Sequence, residues 1–229
     1  MMSQESTPID PPVDHAMLRG QQEHWTHTFA AHPDMYGTEP SDPARAAATL
    51  FRAEGVATVL ELGAGQGRDA LFFARQGFRV QAADFAADAT AAIDMKAAAA
   101  GLATTLTTLR HDAREPLPVD TGAFDACYAH MLLCMALTTA EIERLVGEVR
   151  RVLRPNGLFV YTVRTTADAH YRAGIAHGDD MYEHGGFIVH FFSRALVDRL
   201  AAGWALLGVA DFEEGELPRR LFRVTMRRG

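Results

Sequence analysis

Three glycines at alternate positions, Gly63, Gly65 and Gly67, follow an apolar, β-branched run ending in Glu61-Leu62 and precede a helix-patterned stretch that opens at Arg68. That order reads as strand, tight turn and helix start. Glycine removes the Cβ that would hold a ligand off the backbone, and the free N–H groups of the turn and first helical turn face whatever binds. A second apolar stretch ends in Asp84, 17 residues after Gly67. An acidic side chain at the carboxyl end of the neighbouring strand is placed to accept hydrogen bonds from two ribose hydroxyls. The expected ligand carries an adenosine-like ribose.

The dinucleotide-binding fingerprint is G-x-G-x-x-G, and here the third glycine comes one residue early, with Arg68 in its place. The composite is more specific than the glycines alone. Glu61-Leu62-Gly63-Ala64-Gly65-Gln66-Gly67-Arg68-Asp69 is followed by Asp84, then His111-Asp112-Ala113, Phe124-Asp125-Ala126 and Leu153-Arg154-Pro155-Asn156-Gly157. The series resembles the class I S-adenosylmethionine-dependent methyltransferases from about residue 56 onward. Its Gly-Arg-Asp-Ala-Leu-Phe-Phe-Ala run, residues 67–74, is similar to the thiopurine and tellurite-resistance branch.

The resemblance implies S-adenosylmethionine as cofactor. It places Gly63, Ala64, Gly65 and Gly67 along the methionine part and Glu61 at the amino end, directly or through water. Asp84 with Phe85 would hold the ribose, and Asp112 with Ala113 would face the adenine. In that branch an N-terminal aromatic segment closes over the cofactor, here Trp25, Phe29, Met35 and Tyr36. Each residue also has a plainer reading. Asp84 could cap the next helix, Asp112 could be a turn residue, and Trp25 and Phe29, one helical turn apart, could simply pack on the sheet. Register with the glycine turn favours the functional reading for both aspartates. Arg68 and Asp69 fit an exposed helix start as well as a contact role.

His130 follows the fourth strand, where the family places a residue between cofactor and acceptor, so it is the candidate catalytic group. A structural, hydrogen-bonded histidine is the alternative. Residues 164–192 form a connection longer than the fold requires and are rich in polar and aromatic side chains, which suggests a lid or substrate wall. Arg164, His177, Tyr182 and His184 are its candidate substrate contacts. His177, His184 and the Asp179-Asp180 pair supply metal-ligand types, but no spacing matches a zinc site, so metal is a minor alternative and no metal ligands are assigned.

Composition agrees with a compact enzyme. The chain has 229 residues, 48% of them hydrophobic, enough for one sizeable core. Its formal charge of −7 argues against a nucleic-acid surface, which needs clustered cations. Cys127 and Cys134 make neither a disulfide framework nor a zinc pattern. The polar N-terminus lacks an apolar signal region, so a cytoplasmic location without membrane anchoring is expected, with residues 1–14 disordered. No segment specifies an oligomeric state.

The elements needed to position these groups alternate along the chain. Strands are expected at 56–62, 78–83, 104–109, 124–129 and 158–163, and helices at 43–53, 68–76, 86–100, 139–153 and 194–202. Thr138 and Glu141 fit a capping box. Two last strands, 204–212 and 221–226, follow in succession as a hairpin. This is an α/β, Rossmann-like, doubly wound fold. The resemblance implies seven mostly parallel strands with the last antiparallel, carrying an N-terminal cap at 15–42 and the 164–192 insertion.

The activity implied is methyl transfer to a small molecule. A soft sulfur, selenium or tellurium acceptor needs only positioning, whereas a hydroxyl acceptor needs a base such as His130, His177 or His184; an amine is a further option. The absence of an Asn/Asp-Pro-Pro-Tyr motif counts against methylation of nucleic-acid bases. A noncatalytic cofactor-binding protein and a nicotinamide-dependent oxidoreductase are the alternatives from other classes.

Overall fold

The computed structural model describes residues 13–32, 35–215 and 219–229. Most of the N-terminus expected to be disordered, residues 1–12, lies outside the described residues. Asp14, at the end of that segment, caps the first helix, α1 (His15–Ala31), by accepting from the amides of Ala16 and Met17. The sequence reading assigned no helix there, and only Leu18 and Phe29 of α1 are buried. In α2 (Asp42–Ala53), Ser41 accepts from the Ala44 amide and Pro43 sits in the first turn, where its missing N–H costs nothing.

The central sheet has the order β3-β2-β1-β4-β5-β10-β9. Its strands are β1 (Thr58–Leu62), β2 (Arg79–Asp84), β3 (Leu106–Arg110), β4 (Phe124–His130), β5 (Leu153–Arg164), β9 (Trp204–Glu214) and β10 (Arg219–Arg228). Every strand runs parallel except β10, which pairs antiparallel with both β5 and β9. The helices α3 (Arg68–Arg75), α4 (Ala87–Ala99), α5 (Thr139–Val152) and α6 (Arg194–Leu200) complete the wound layers.

Alternating strand residues face opposite cores. Val59, Val80, Ala126, Tyr128 and Val160 pack with Phe51 of α2, Phe73 of α3 and Ile93 of α4. Leu60, Cys127, Phe159, Tyr161 and Met226 pack with Ile142 and Val149 of α5 and Val197 of α6. Burying one such Phe or Leu contributes about 1.5–3 kcal/mol. Strand order reverses between β2-β1 and β1-β4, so the crevice of an open α/β sheet lies at the carboxyl ends of β1 and β4.

Thr138 and Glu141 form the capping box of α5 reciprocally. The strand expected at 158–163 starts earlier, at Leu153. Leu153 pairs with Phe124, the register then shifts, and Leu158 pairs with Ala126. Residues 154–157 therefore bulge out of a strand instead of preceding one, with Asn156 left-handed at φ 64°.

Residues 164–192 hold a second, antiparallel sheet that the sequence reading did not assign, made of β6 (Ile175–Ala176), β7 (Met181–His184) and β8 (Phe187–His190). Asp168, almost fully buried, anchors the segment by accepting from the Arg164 guanidinium and from the amides of His170 and Arg220. Among the described residues no helix is long and apolar enough to cross a membrane.

Candidate active site

The three glycines of the turn are left-handed, with φ of 69° at Gly63, 52° at Gly65 and 83° at Gly67. Two of the glycines are also required by packing. A Cβ on Gly63 would lie 2.9 Å from the Leu132 side chain, and one on Gly67 would lie 2.5 Å from Ile93. The amides of Gly63 and Ala64 donate to the Ala83 carbonyl over 2.8 and 3.1 Å, which ties the turn to the end of β2.

Asp84 closes the same junction. Its carboxylate accepts from the Gly65 amide at 2.8 Å and from the Ala86 amide at 2.9 Å. The N-cap of α4 is Ala86, which has no side-chain cap bond, so Asp84 ties the turn to β2 and is not that helix's cap. Burial pushes its carboxyl upward, and the Ala86, Gly65 and Phe85 amides offset part of the rise. Each carboxylate oxygen keeps a second lone pair for a further donor.

Glu61, at the end of β1, is 3% exposed and its Oε2 has no hydrogen-bond partner. Burial, reinforced by Asp69, raises its carboxyl well above the usual range. A buried carboxylate oxygen without a donor, beside a backbone cradle, suits an ammonium group. Asp69 is no exposed helix start. It is buried and accepts from the Ser41 amide and hydroxyl at 2.8 and 2.7 Å, locking the start of α2 to that of α3. Arg68 donates to the Tyr36 carbonyl at 3.2 Å and lies over its ring.

Asp112, in the loop after β3, accepts from Gln22 of α1 at 2.6 Å and from Arg114. Burial opposes its ionisation, but the Arg114 side chain and amide outweigh it and hold the carboxyl below its ordinary value. Ala113 follows in the same loop. A cleft of about 510 Å³ lies between α1 and the ends of β2 and β3, lined by Gln22, Thr26, Phe85, Ala86, His111 and Asp112 among others.

Helix α1 lies across this region. The Phe29 ring is 3.5 Å from where a Cβ on Gly65 would stand, and Gln66 donates to the Phe29 and His32 carbonyls. Trp25 packs on Phe29 at 5.4 Å and on Phe187 of β8 at 4.8 Å. Gln21 bonds the backbone of Gly186 and Ile188. One helix thus touches the glycine turn, the loop after β3 and the small sheet.

On the acceptor side, His130 ends β4. Its Nδ1 lies 2.8 Å from the Thr162 hydroxyl and its Nε2 lies 3.5 Å from Glu214, at the end of β9. Cys134 is buried. Of the four candidate substrate residues, Arg164 is drawn into Asp168 and meets the ring nitrogen of His170 at 3.0 Å, while His184 stacks on His170 at 4.3 Å. His177 is buried against Glu183 at 2.9 Å, and Tyr182 packs on Tyr171 and Phe191. Glu183 alternates with Tyr182 and His184 along β7, which puts His177 on the opposite face. Among the described residues no group of three or more His, Cys, Asp or Glu side chains could hold a metal ion.

The sequence reading missed Gln22, Thr162 and Glu214. Gln22 belonged to an unassigned helix, and Glu214 read as part of a connection. Nothing in the local pattern marked either.

A turn that admits backbone close to a ligand, a strand-end carboxylate for a ribose and an unpartnered carboxylate for an ammonium together fit S-adenosylmethionine. Residues 59–157 match the family described as a methyltransferase domain. This stretch is a methyltransferase domain, and it contains Glu61, the whole glycine turn, Asp84 and Asp112, the residues that fit that cofactor. The fold is similar to that of 1,6-didemethyltoxoflavin-N1-methyltransferase from Burkholderia thailandensis, solved with 1,6-didemethyltoxoflavin and S-adenosylhomocysteine. The TM-score is 0.73 at 20% identity, over 97% of this chain and 94% of that one. TehB from Haemophilus influenzae shares the fold with a TM-score of 0.67 at 13% identity, over 90% of this chain and 67% of that one. A putative sarcosine dimethylglycine methyltransferase from Galdieria sulphuraria gives 0.65 at 15% identity, over 90% and 98%. No curated protein matches the chain.

Proposed function

We propose that the chain methylates a small molecule held at the carboxyl ends of β4 and β5, with α1 and the 164–192 segment acting as caps over the crevice. The observation that carries this is the junction of the two caps, where Trp25 of α1 meets Phe187 of β8. A roof made of one helix and a short sheet suits a compact acceptor better than a polymer. The net charge of −7 points the same way.

When bound, the cofactor supplies a methyl group already activated on a sulfonium. What the chain contributes is alignment and exclusion of water. Glu61 would hold the amino end, Gly63, Ala64, Gly65 and Gly67 the methionine part, Asp84 with Phe85 the ribose, and Asp112 with Ala113 the adenine. Trp25 and Tyr36 would close over it. His130, Tyr182 and His184 would line the acceptor side, with Arg164 and His177 fixing the shape of the insert through Asp168 and Glu183.

The test has two arms. Calorimetry should show binding of S-adenosylmethionine and S-adenosylhomocysteine and none of NAD. Incubation with methyl-labelled cofactor and a panel of amines, phenols, thiols, selenite and tellurite should yield a labelled small product. Cofactor binding with no product from any acceptor class would favour a noncatalytic role.

A further inference from the structure

We propose that Glu214 is the group that faces the methyl acceptor, with His130 as its positioning partner, and that the site takes a neutral nitrogen nucleophile bearing an N–H. The proposal rests on the methyltransferase reading above and names the acceptor class for the same site.

The argument begins at Thr162, which is fully buried. Its hydroxyl oxygen accepts from the Met131 amide at 3.0 Å and lies 2.8 Å from His130 Nδ1. A hydroxyl has one hydrogen, and in a buried site that hydrogen needs an acceptor. Nδ1 is the acceptor, so the neutral ring carries its own hydrogen on Nε2. That N–H points at Glu214 Oε2, 3.5 Å away. Neither ring nitrogen then offers a lone pair to a substrate, and the role of proton acceptor passes to the carboxylate.

Glu214 reaches the site because the hairpin of β9 and β10 extends past the end of β4. Four elements surround it with charged or titratable groups: His130 from β4, Arg68 from α3, Arg219 from β10 and Tyr36 ahead of α2. The His130 ring first, and then Arg68 and Arg219, outweigh the opposing effect of burial and hold its carboxyl below the usual range. Its side chain is 28% exposed, so the carboxylate is not sealed from a ligand entering from solvent.

The sign of that charge selects the acceptor. A neutral nitrogen gains positive charge as it attacks, and a fixed carboxylate stabilises that charge where it develops. A thiolate or other chalcogen anion would be repelled on arrival and would lose the charge the site could act on. In the step, the nitrogen lone pair forms the bond to the methyl carbon and the carbon–sulfur pair returns to sulfur. The N–H proton leaves by way of Glu214 to solvent; an alkylammonium is a weaker acid than a carboxylic acid, so the carboxylate relays the proton and does not keep it.

The test uses the complex with S-adenosylhomocysteine and two probes of similar size, 1,3-dimethylbenzimidazolium and thiophenolate in mildly alkaline solution. The cation should bind in preference to the anion, and Glu214→Gln should weaken it about tenfold or more. Glu214→Asp should recover part of the loss, and Glu213→Gln, on the neighbouring exposed carboxylate, should change nothing. The acid limb of cation binding in wild type should follow a carboxyl below the ordinary range and move upward in His130→Gln. Absence of cation binding, preference for the anion, equal loss in the Gln and Asp variants, or an unmoved acid limb would each overturn the proposal. Failure of S-adenosylhomocysteine to bind at all would instead refute the methyltransferase reading itself.

Discussion

Gly65 donates its amide to the Asp84 carboxylate over 2.8 Å, so the glycine turn and the end of β2 are one hydrogen-bonded unit. A residue expected to hold a ribose therefore also holds the backbone that would hold the rest of the cofactor.

Asp84→Ala should consequently do two things. It should weaken S-adenosylmethionine binding by about 1.5–3 kcal/mol through lost charged hydrogen bonds, and it should lower stability by about 1–3 kcal/mol because the Gly65 and Ala86 amides lose a buried acceptor. Calorimetry and urea denaturation read the two effects separately. An unchanged affinity would remove Asp84 from the cofactor site.

The glycines should separate stability from binding. An alanine at either Gly65 or Gly67 costs about 1–2 kcal/mol for its left-handed backbone. At Gly67 the added Cβ also collides with Ile93, a further cost of about 1–3 kcal/mol, whereas at Gly65 it makes ordinary contact with Phe29. Denaturation midpoints should thus fall further for Gly67→Ala. Identical midpoints would show that Ile93 yields without cost.

Glu61 sets a pH dependence whose sign follows from its raised carboxyl. A group that binds its proton more tightly folded than unfolded contributes stability that is fully present below the unfolded value of about 4.3 and is lost as pH rises through the folded one. Relative to Glu61→Gln, the wild type should lose thermal stability as pH climbs from that value towards neutrality. S-adenosylmethionine should narrow the gap by supplying a cation. Melting curves that stay parallel across the range would remove Glu61 as an ionisable partner of the cofactor.

The α1 cap is held by few contacts, chiefly Trp25 on Phe29 and Phe187, Gln22 on Asp112, and Gln66 on the end of the helix. Trp25→Ala should speed cofactor release several-fold while leaving the melting temperature within a few degrees. Amide exchange should be faster in α1 than in β1 and β4. A large loss of global stability would make Trp25 part of the core.

Elements governed by local chemistry were legible in the sequence. The alternation of strands and helices, the glycine turn and the Thr138–Glu141 box depend on residues within a few positions of one another. Pro155-Asn156-Gly157 reads as the end of a helix and the start of a strand, but α5 already ends at Val152 and β4 pairs on both sides of the tripeptide, so it is a bulge inside β5. Helix α1 buries only two side chains and so lacks a clear apolar period. Asp69 depends on Ser41, 28 residues away, and Glu214 on His130 across the sheet. Such pairings exist only once the chain has folded.

The hairpin of β9 and β10 has a consequence for how a protein like this changes over evolutionary time. The contacts assigned to Glu61, the glycine turn, Asp84 and Asp112 fall within residues 61–113, one unbroken stretch, while the acceptor carboxylate arrives from a hairpin about a hundred positions later in the chain. Inheritance can therefore act on the two separately. Recombination or drift confined to β8 and the β9–β10 hairpin would explore new acceptors while retaining the methyl donor, and a directed library restricted to those segments should keep most of its members able to bind S-adenosylhomocysteine.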